Sequence, residues 1–197
     1  MMSRSRVCPI EGLRARLVAR ALELEALKYG EFILSSGGES NYYFDGRILS
    51  LDPEGAYLIG RCLLPLVLES GAKAVGGPTL GADPIVAALA ITSYIEDTPI
   101  SAFVVRSKAK EYGTRKLIEG TLTKGSSVAI VDDTCSTGGN LLHAIEAVEA
   151  EGCSVVKVLV ILDREQGGSD TLKSHGYKFT SLMKVDNDGS VRVQENF

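Results

Sequence analysis

The chain has 197 residues, 45% of them hydrophobic, and a formal net charge of −4. That length supports one substantial core with at most a small appendage. The acidic balance argues against nucleic-acid binding, and no apolar run approaches the length of a bilayer span.

The N-terminal stretch "MMSRSRVCPIEGLRARL" has no apolar core of the kind a secretory signal needs. The cysteines, Cys8, Cys62, Cys135 and Cys153, are widely spaced and have no partner histidines. This predicts reduced thiols in a cytoplasmic protein rather than a disulfide frame or a metal site.

In chain order, Leu13, Leu17, Ala21, Leu24 and Leu27 recur at helical spacing. They predict a first helix ending near Tyr29 and Gly30. Residues 30–47, rich in Gly, Ser and Tyr, read as short strands and loops. Asp52 as N-cap and Pro53 at the first helical position open a second helix, running to about Gly71. Strands and helices then alternate. Strands are predicted over 72–77, 100–105, 126–131 and 153–162. Helices are predicted over 82–95, 138–152 and 169–176. Residues 108–116, "KAKEYGTRK", form a charged loop. In the tail, 181–197, a turn is predicted at Asp188 and Gly189.

The strands are near-continuous Val/Ile/Leu runs, which suits a parallel sheet covered on both faces. The fold class is therefore α/β: a doubly wound parallel sheet flanked by helices, with a small N-terminal helical and irregular segment. One domain is expected over 1–197. Residues of about 1–50 form the helix and hood segment, and about 51–180 the α/β core.

The most informative string is "VAIVDDTCSTGGN", residues 128–140. In an open α/β sheet, ligands bind beyond the carboxyl ends of strands. Asp132 and Asp133 are predicted where strand 128–131 ends. Adjacent carboxylates repel unless a polar or cationic group joins them, and ribose hydroxyls or a metal ion would suit both. Thr134, Ser136 and Thr137 offer hydroxyls. Gly138 and Gly139 let backbone N–H groups approach an anion. The helix opening near Asn140 presents its positive end. Acids for a diol beside amides for a phosphate describe a sugar-phosphate site. The alternative is a plain polar loop after a strand. The string is neither a Walker loop nor a G-x-G-x-x-G dinucleotide fingerprint.

The string resembles the phosphoribosyl pyrophosphate (PRPP) loop of the type I phosphoribosyltransferases. "YGEFILSSGGESNYYFDGR" (29–47), "GGPTLGADPIVAALA" (76–90), "VVRSKAKEYGTRKLIEG" (104–120) and "LDREQGG" (162–168) resemble, in order and spacing, the orotate-specific branch of that family. The resemblance implies transfer of the phosphoribosyl group of PRPP to orotate, giving orotidine 5′-monophosphate in pyrimidine synthesis. It implies that Asp132 and Asp133 hold the ribose, with Thr134, Cys135, Ser136, Thr137, Gly138, Gly139 and Asn140 around the 5-phosphate. Arg106, Lys110 and Tyr112 would meet the pyrophosphate, and Arg106 and Lys110 would act catalytically with the two aspartates. Tyr43, Phe44, Ser136 and Arg164 would hold orotate. Mg²⁺ would be carried by the substrate, with no direct protein metal site. A homodimer is implied, its loop 106–116 reaching the neighbouring site.

Each segment also has its own reading. PRPP carries roughly four to five negative charges, and Arg106, Lys108, Lys110, Arg115 and Lys116 could close over it. The alternative is a solvated charged hairpin. Tyr43 and Phe44 could sandwich a flat pyrimidine, or serve as core aromatics. Arg164 could pair with orotate's carboxylate, or with Asp163 or Glu165. His143 and His175 have no partner pattern and read as structural or solvent-facing. Cys135 reads as small buried filler. Basic residues found in some family members are replaced here by Ser35, Gly81, Ser107 and Tyr112. A phosphoribosyltransferase for another base, or a non-catalytic PRPP sensor, remain as alternative functions.

Overall fold

The structure, a computed structural model, describes residues 10–33, 38–108 and 116–194, with side chains from residue 12 onward. Helix α1 (Ile10–Glu23) buries Leu13, Leu17 and Ala21, as its periodicity predicts. It ends earlier than predicted. Glu25 takes a left-handed φ of 55°, which breaks the helix. Leu27 is still buried, but it opens strand β1 (Leu27–Ile33), which pairs antiparallel with β2 (Glu39–Phe44). The apolar spacing was therefore a burial signal that continued across a change of element.

A short helix α2 (Gly46–Ser50) leads to α3 (Pro53–Glu69). Asp52 caps α3 by accepting from Gly55 N at 2.9 Å, and Pro53 occupies the first turn. The same carboxylate takes a two-pronged bond from Arg20 of α1, at 2.8 and 2.9 Å. Arg16 grips Glu54 at 2.7 Å through both oxygens. Charge-assisted pairs of this geometry fix α1 on the start of α3.

The main sheet has seven strands in the order β5-β4-β3-β6-β7-β8-β9. These are β3 (Ala74–Pro78), β4 (Ser101–Val105), β5 (Ile118–Gly120), β6 (Ser127–Cys135), β7 (Ser154–Asp163), β8 (Phe179–Val185) and β9 (Val191–Val193). The five central strands are parallel and the two short edge strands antiparallel. Strand residues alternate between two cores. Val75, Ala129, Val131, Leu159 and Ile161 pack under α3 and α4 (Ala82–Ile95). Ala74, Val128, Ile130, Val158 and Val160 pack under α5 (Gly139–Ala150) and α6 (Gly168–Ser174). Burial of both faces explains the unbroken apolar runs.

Strand β5 was not foreseen; it hangs on β4 after the charged loop. The tail extends the sheet past residue 180 through β8 and β9. Their turn uses Gly189 at φ 84°, with Asp188 accepting from Ser190 N.

Candidate active site

Chain direction around the sheet reverses between β3 and β6. Strand β3 continues to β4 on one side, while β6 continues to β7 on the other. A crevice opens at the carboxyl ends of such neighbours. Pairing between β3 and β6 stops at Gly76 and Ile130. Strand β6 runs on beside β7, with Asp132 opposite Val160 and Cys135 opposite Asp163. Asp132 and Asp133 thus lie within the strand, not beyond an end at 131 as expected. One-sided pairing carries the ladder further than apolar content suggests.

A cleft of about 860 Å³ occupies this crevice. One wall is the β2–α2 segment, Tyr43 to Arg47. The floor is the turn Pro78–Gly81 with Asp132 and Asp133. The opposite wall is the β6–α5 loop, and Arg164 and Gln166 close one side.

Asp132 is 5% exposed. Burial first, and the charge of Asp133 second, push its carboxyl up to about 8. Its Oδ1 accepts from Asp133 N at 2.9 Å, and Thr134 Oγ1 donates to Asp133 Oδ1 at 3.2 Å. Two glycines leave room for the pair. A Cβ on Gly46 would sit 2.6 Å from Asp133 Cβ, and one on Gly81 would sit 2.7 Å from Asp132 Oδ1. Asp83, in the first turn of α4, adds its negative charge and has a buried Oδ1 with no hydrogen-bond partner among the described residues.

The phosphate-type loop is held from behind. Cys135 O accepts from Arg164 N, and Ser136 O accepts from Gly168 N, both at 2.9 Å. Gly138 takes φ 84°, and no side chain caps the start of α5. The first N–H groups of that helix are thus left for a ligand at its positive end. A Cβ on Gly168 would meet Gly138 N and Ser136 O at 2.6 Å. Only glycine lets the β7–α6 turn press so closely on the loop.

The structure brings Asp132, Asp133, Thr134, Ser136, Thr137, Gly138, Gly139 and Asn140 to one cleft, with Tyr43, Phe44 and Arg164. Cys135 is not among the lining residues; it is 1% exposed, and burial pushes its thiol up to about 12. The aromatic pair does not form a sandwich. Successive strand residues face opposite ways, so the Phe44 ring is in the core and Tyr43 is exposed, its ring 5.7 Å from that of Phe32. Arg164 donates to Phe44 O at 3.0 Å and lies over the Tyr42 ring at 5.8 Å. Asp163 and Glu165 turn elsewhere, to Glu165 N and to Lys184. Arg106 stands outside the cleft lining, two strands from β6, with a guanidinium nitrogen 3.9 Å from Glu119. Lys110 and Tyr112 lie outside the described residues, as does Ser35.

Sequence reading missed Asp45, Arg47, Thr79, Leu80 and Gln166 as lining residues. The glycine-rich "GGPTLGAD", between a strand and a helix, carried the signal for the floor. Arg47 had no such signal: it reaches the cleft because Asp45 caps α2 and pairs with it at 3.2 Å. Among the described residues no cluster of three or more His, Cys, Asp or Glu could hold a metal, and no helix is long and apolar enough to cross a membrane.

A parallel sheet with an acidic pair and a glycine cradle at its switch point defines a class of sugar-phosphate enzymes. The model of the phosphoribosyl transferase domain matches residues 78–191. The orotate phosphoribosyltransferase of Nostoc sp. is 41% identical over 177 residues, covering 89% of this chain and 85% of the relative. The crystal structure of Mycobacterium tuberculosis orotate phosphoribosyltransferase with Fe(III) dicitrate superposes with a TM-score of 0.78 at 36% identity, covering 90% of this chain and 99% of the other. That enzyme in complex with PRPP superposes with a TM-score of 0.73 at 31% identity, covering 90% and 92%. The chain belongs to the phosphoribosyl transferase family and, within it, to the orotate phosphoribosyltransferases.

Proposed function

We propose that the cleft transfers the phosphoribosyl group of PRPP to orotate, releasing pyrophosphate and forming orotidine 5′-monophosphate for pyrimidine synthesis. The observation that carries this reading is the Asp132–Asp133 pair set directly before an uncapped helix start with glycine at 138 and 139. The chain's membership among the orotate phosphoribosyltransferases supplies the base.

The bond that breaks joins C1 of the ribose to pyrophosphate, and the bond that forms joins C1 to a ring nitrogen of orotate. Positive charge develops on the sugar as the leaving group departs. The protein's part is to position both reactants and favour that charge distribution. Asp133 and Asp132 anchor the ribose hydroxyls, Asp132 as a proton-holding partner below about pH 8, and the net negative charge of the pair favours the cationic sugar. Ser136, Thr137 and the amides of Gly138 to Asn140 take the 5-phosphate. Arg164, fixed by Phe44 O, faces orotate's carboxylate, and Tyr43 offers its exposed ring to the base. Arg106 and Lys110 would stabilise the departing pyrophosphate in the neighbouring copy's cleft, and Tyr112 would also bind it.

Mg²⁺ fits this donor set. Among the described residues no cluster of acidic, histidine or cysteine side chains forms a cage for the ion, so the substrate's own oxygens would carry it. When bound, the ion would supply charge neutralisation for the pyrophosphate. The three described cysteines are free and buried, which supports a cytoplasmic enzyme.

A homodimer completes the reading. Helix α4 is largely apolar and exposes Ala87, Ile91, Tyr94 and Ile95 on one face, the last three 62–77% exposed. Leu80, 65% exposed and lining the cleft, stands two residues ahead of that helix. A second copy seated there would cover the apolar face; that its loop 106–116 reaches this cleft is what the family resemblance implies.

The test is the ultraviolet absorbance of orotate with the protein, PRPP and Mg²⁺. Loss of the orotate signal only when all are present is expected. No loss, or equal turnover of uracil, would contradict the reading.

A further inference from the structure

Arg164 follows strand β7 and borders the cleft. Its main chain is fixed, because its N–H donates to Cys135 O of the phosphate loop at 2.9 Å. Its side chain is held by the opposite wall. Nη2 donates to Phe44 O at 3.0 Å, and the guanidinium carbon lies over the Tyr42 ring, 5.8 Å from its centroid. Tyr42 and Phe44 are two residues apart on β2, so both side chains face the core. Tyr42 is 6% exposed and its backbone is pinned: it pairs with Tyr29 on β1, and Tyr42 O accepts from Ser40 Oγ at 2.7 Å. The ring is therefore a fixed surface under the guanidinium. Both holders are uncharged. A carbonyl oxygen and an aromatic face attract a cation without neutralising it. A carboxylate in their place would pair with the guanidinium and compete with an anionic ligand. The acids beside Arg164 in sequence do not take it: Asp163 accepts from Glu165 N, and Glu165 pairs with Lys184.

We infer that Tyr42 is a positioning residue for Arg164: its ring holds the guanidinium at the cleft with its positive charge intact. This rests on Arg164 facing orotate's carboxylate. Every group involved belongs to one chain and one cleft. The two adjacent tyrosines then divide the work on the base. Tyr43 presents its exposed ring, while Tyr42, facing the other way, acts through the arginine. Without the Tyr42 ring the guanidinium is free to turn toward Asp163 or Glu165, and it meets orotate for a smaller fraction of the time. The phosphate cradle is unchanged.

The test is calorimetry of PRPP on the free protein, and of orotate on its complex with a PRPP analogue. The variants are Tyr42→Phe, Tyr42→Leu, pentafluorophenylalanine at position 42, Arg164→Ala and the double variant Tyr42→Leu/Arg164→Ala. A cation on an aromatic face is worth roughly three- to thirtyfold in affinity. Tyr42→Leu should weaken orotate on the order of tenfold and spare PRPP. Tyr42→Phe, which keeps the aromatic face, should restore most of that loss. Pentafluorophenylalanine keeps the ring's shape but reverses the charge on its face, and should bind orotate as weakly as Tyr42→Leu. The double variant should be no weaker than Arg164→Ala alone. Three results would each overturn the inference and leave the Arg164 reading intact, provided Arg164→Ala is itself weak for orotate. They are equal affinities for the Phe and pentafluorophenylalanine variants, equal weakening of PRPP and orotate by Tyr42→Leu, and losses that add in the double variant. Wild-type orotate affinity in Arg164→Ala would overturn both. The two aromatic variants decide the matter even if Tyr42→Leu does not fold.

Discussion

The two walls of the cleft are built on different principles. The β6–α5 wall is backbone. Its carbonyls are tied to the β7–α6 turn, its shape depends on Gly138 and Gly168, and its donors are peptide N–H groups joined by the short hydroxyls of Ser136 and Thr137. The β2–α2 wall is side chain. It is a two-stranded hairpin outside the main sheet, joined to the β7 end by the bond from Arg164 to Phe44 O. A backbone wall suits an anion common to many sugar phosphates. A side-chain wall suits the part of the reaction that distinguishes one base from another.

Substitutions should separate the walls, and the largest effect belongs to the backbone wall. Gly168→Val would drive a branched side chain into Gly138 N and Ser136 O. A loss of about 3 kcal/mol or more in stability, or a collapsed cradle, is expected. Thermal unfolding with and without PRPP would show it as a lower melting temperature and no rise on adding PRPP. Arg164→Ala removes the link to the hairpin and the cation facing the base. It should cut kcat/KM for orotate by roughly 10–100-fold, while leaving the PRPP-induced rise in melting temperature in place.

Asp132→Asn tests the floor between the walls. The folded chain holds a proton on Asp132 up to about pH 8, whereas an unfolded aspartate releases it near 3.8. The folded state thus binds more protons across that window, and stability falls as pH rises through it. The asparagine variant should lack this decline. It should be more stable than the parent at pH 8 by on the order of 1–3 kcal/mol, and slower in turnover. Denaturant midpoints from pH 5 to 9 would check it; parallel curves for the two proteins would refute the assignment. The smallest effect is expected from Tyr43→Ala. Its exposed ring contributes stacking alone, so KM for orotate should rise only a few-fold, as initial rates would show.

The same contrast explains what was legible in the sequence. The α/β alternation, the capped start of α3 and the span of α4 follow from apolar runs, one Asp-Pro pair and helical spacing, all local signals. The phosphate loop was legible because backbone recognition needs glycines and small hydroxyls in sequence. The hairpin wall was not. Tyr43 and Phe44 are adjacent in the chain yet face opposite ways, and that depends on strand pairing with β1. Leu27 misled for a related reason: burial continued at helical spacing after Glu25 had ended the helix. Arg47 is held by its near neighbour Asp45, but that its segment, like Gln166, borders the cleft is a matter of tertiary placement, which no local pattern encodes. His143 finds its partner 37 residues away at the end of another strand.

The division of labour between the walls is the central claim. Its most direct test compares Thr137→Val with Arg164→Ala by calorimetry, measuring PRPP and orotidine 5′-monophosphate separately from orotate on the PRPP-analogue complex. The account predicts that Thr137→Val weakens both phosphate-bearing ligands and spares orotate, while Arg164→Ala weakens orotate and spares PRPP. Equal weakening of PRPP and orotate by both variants would contradict it.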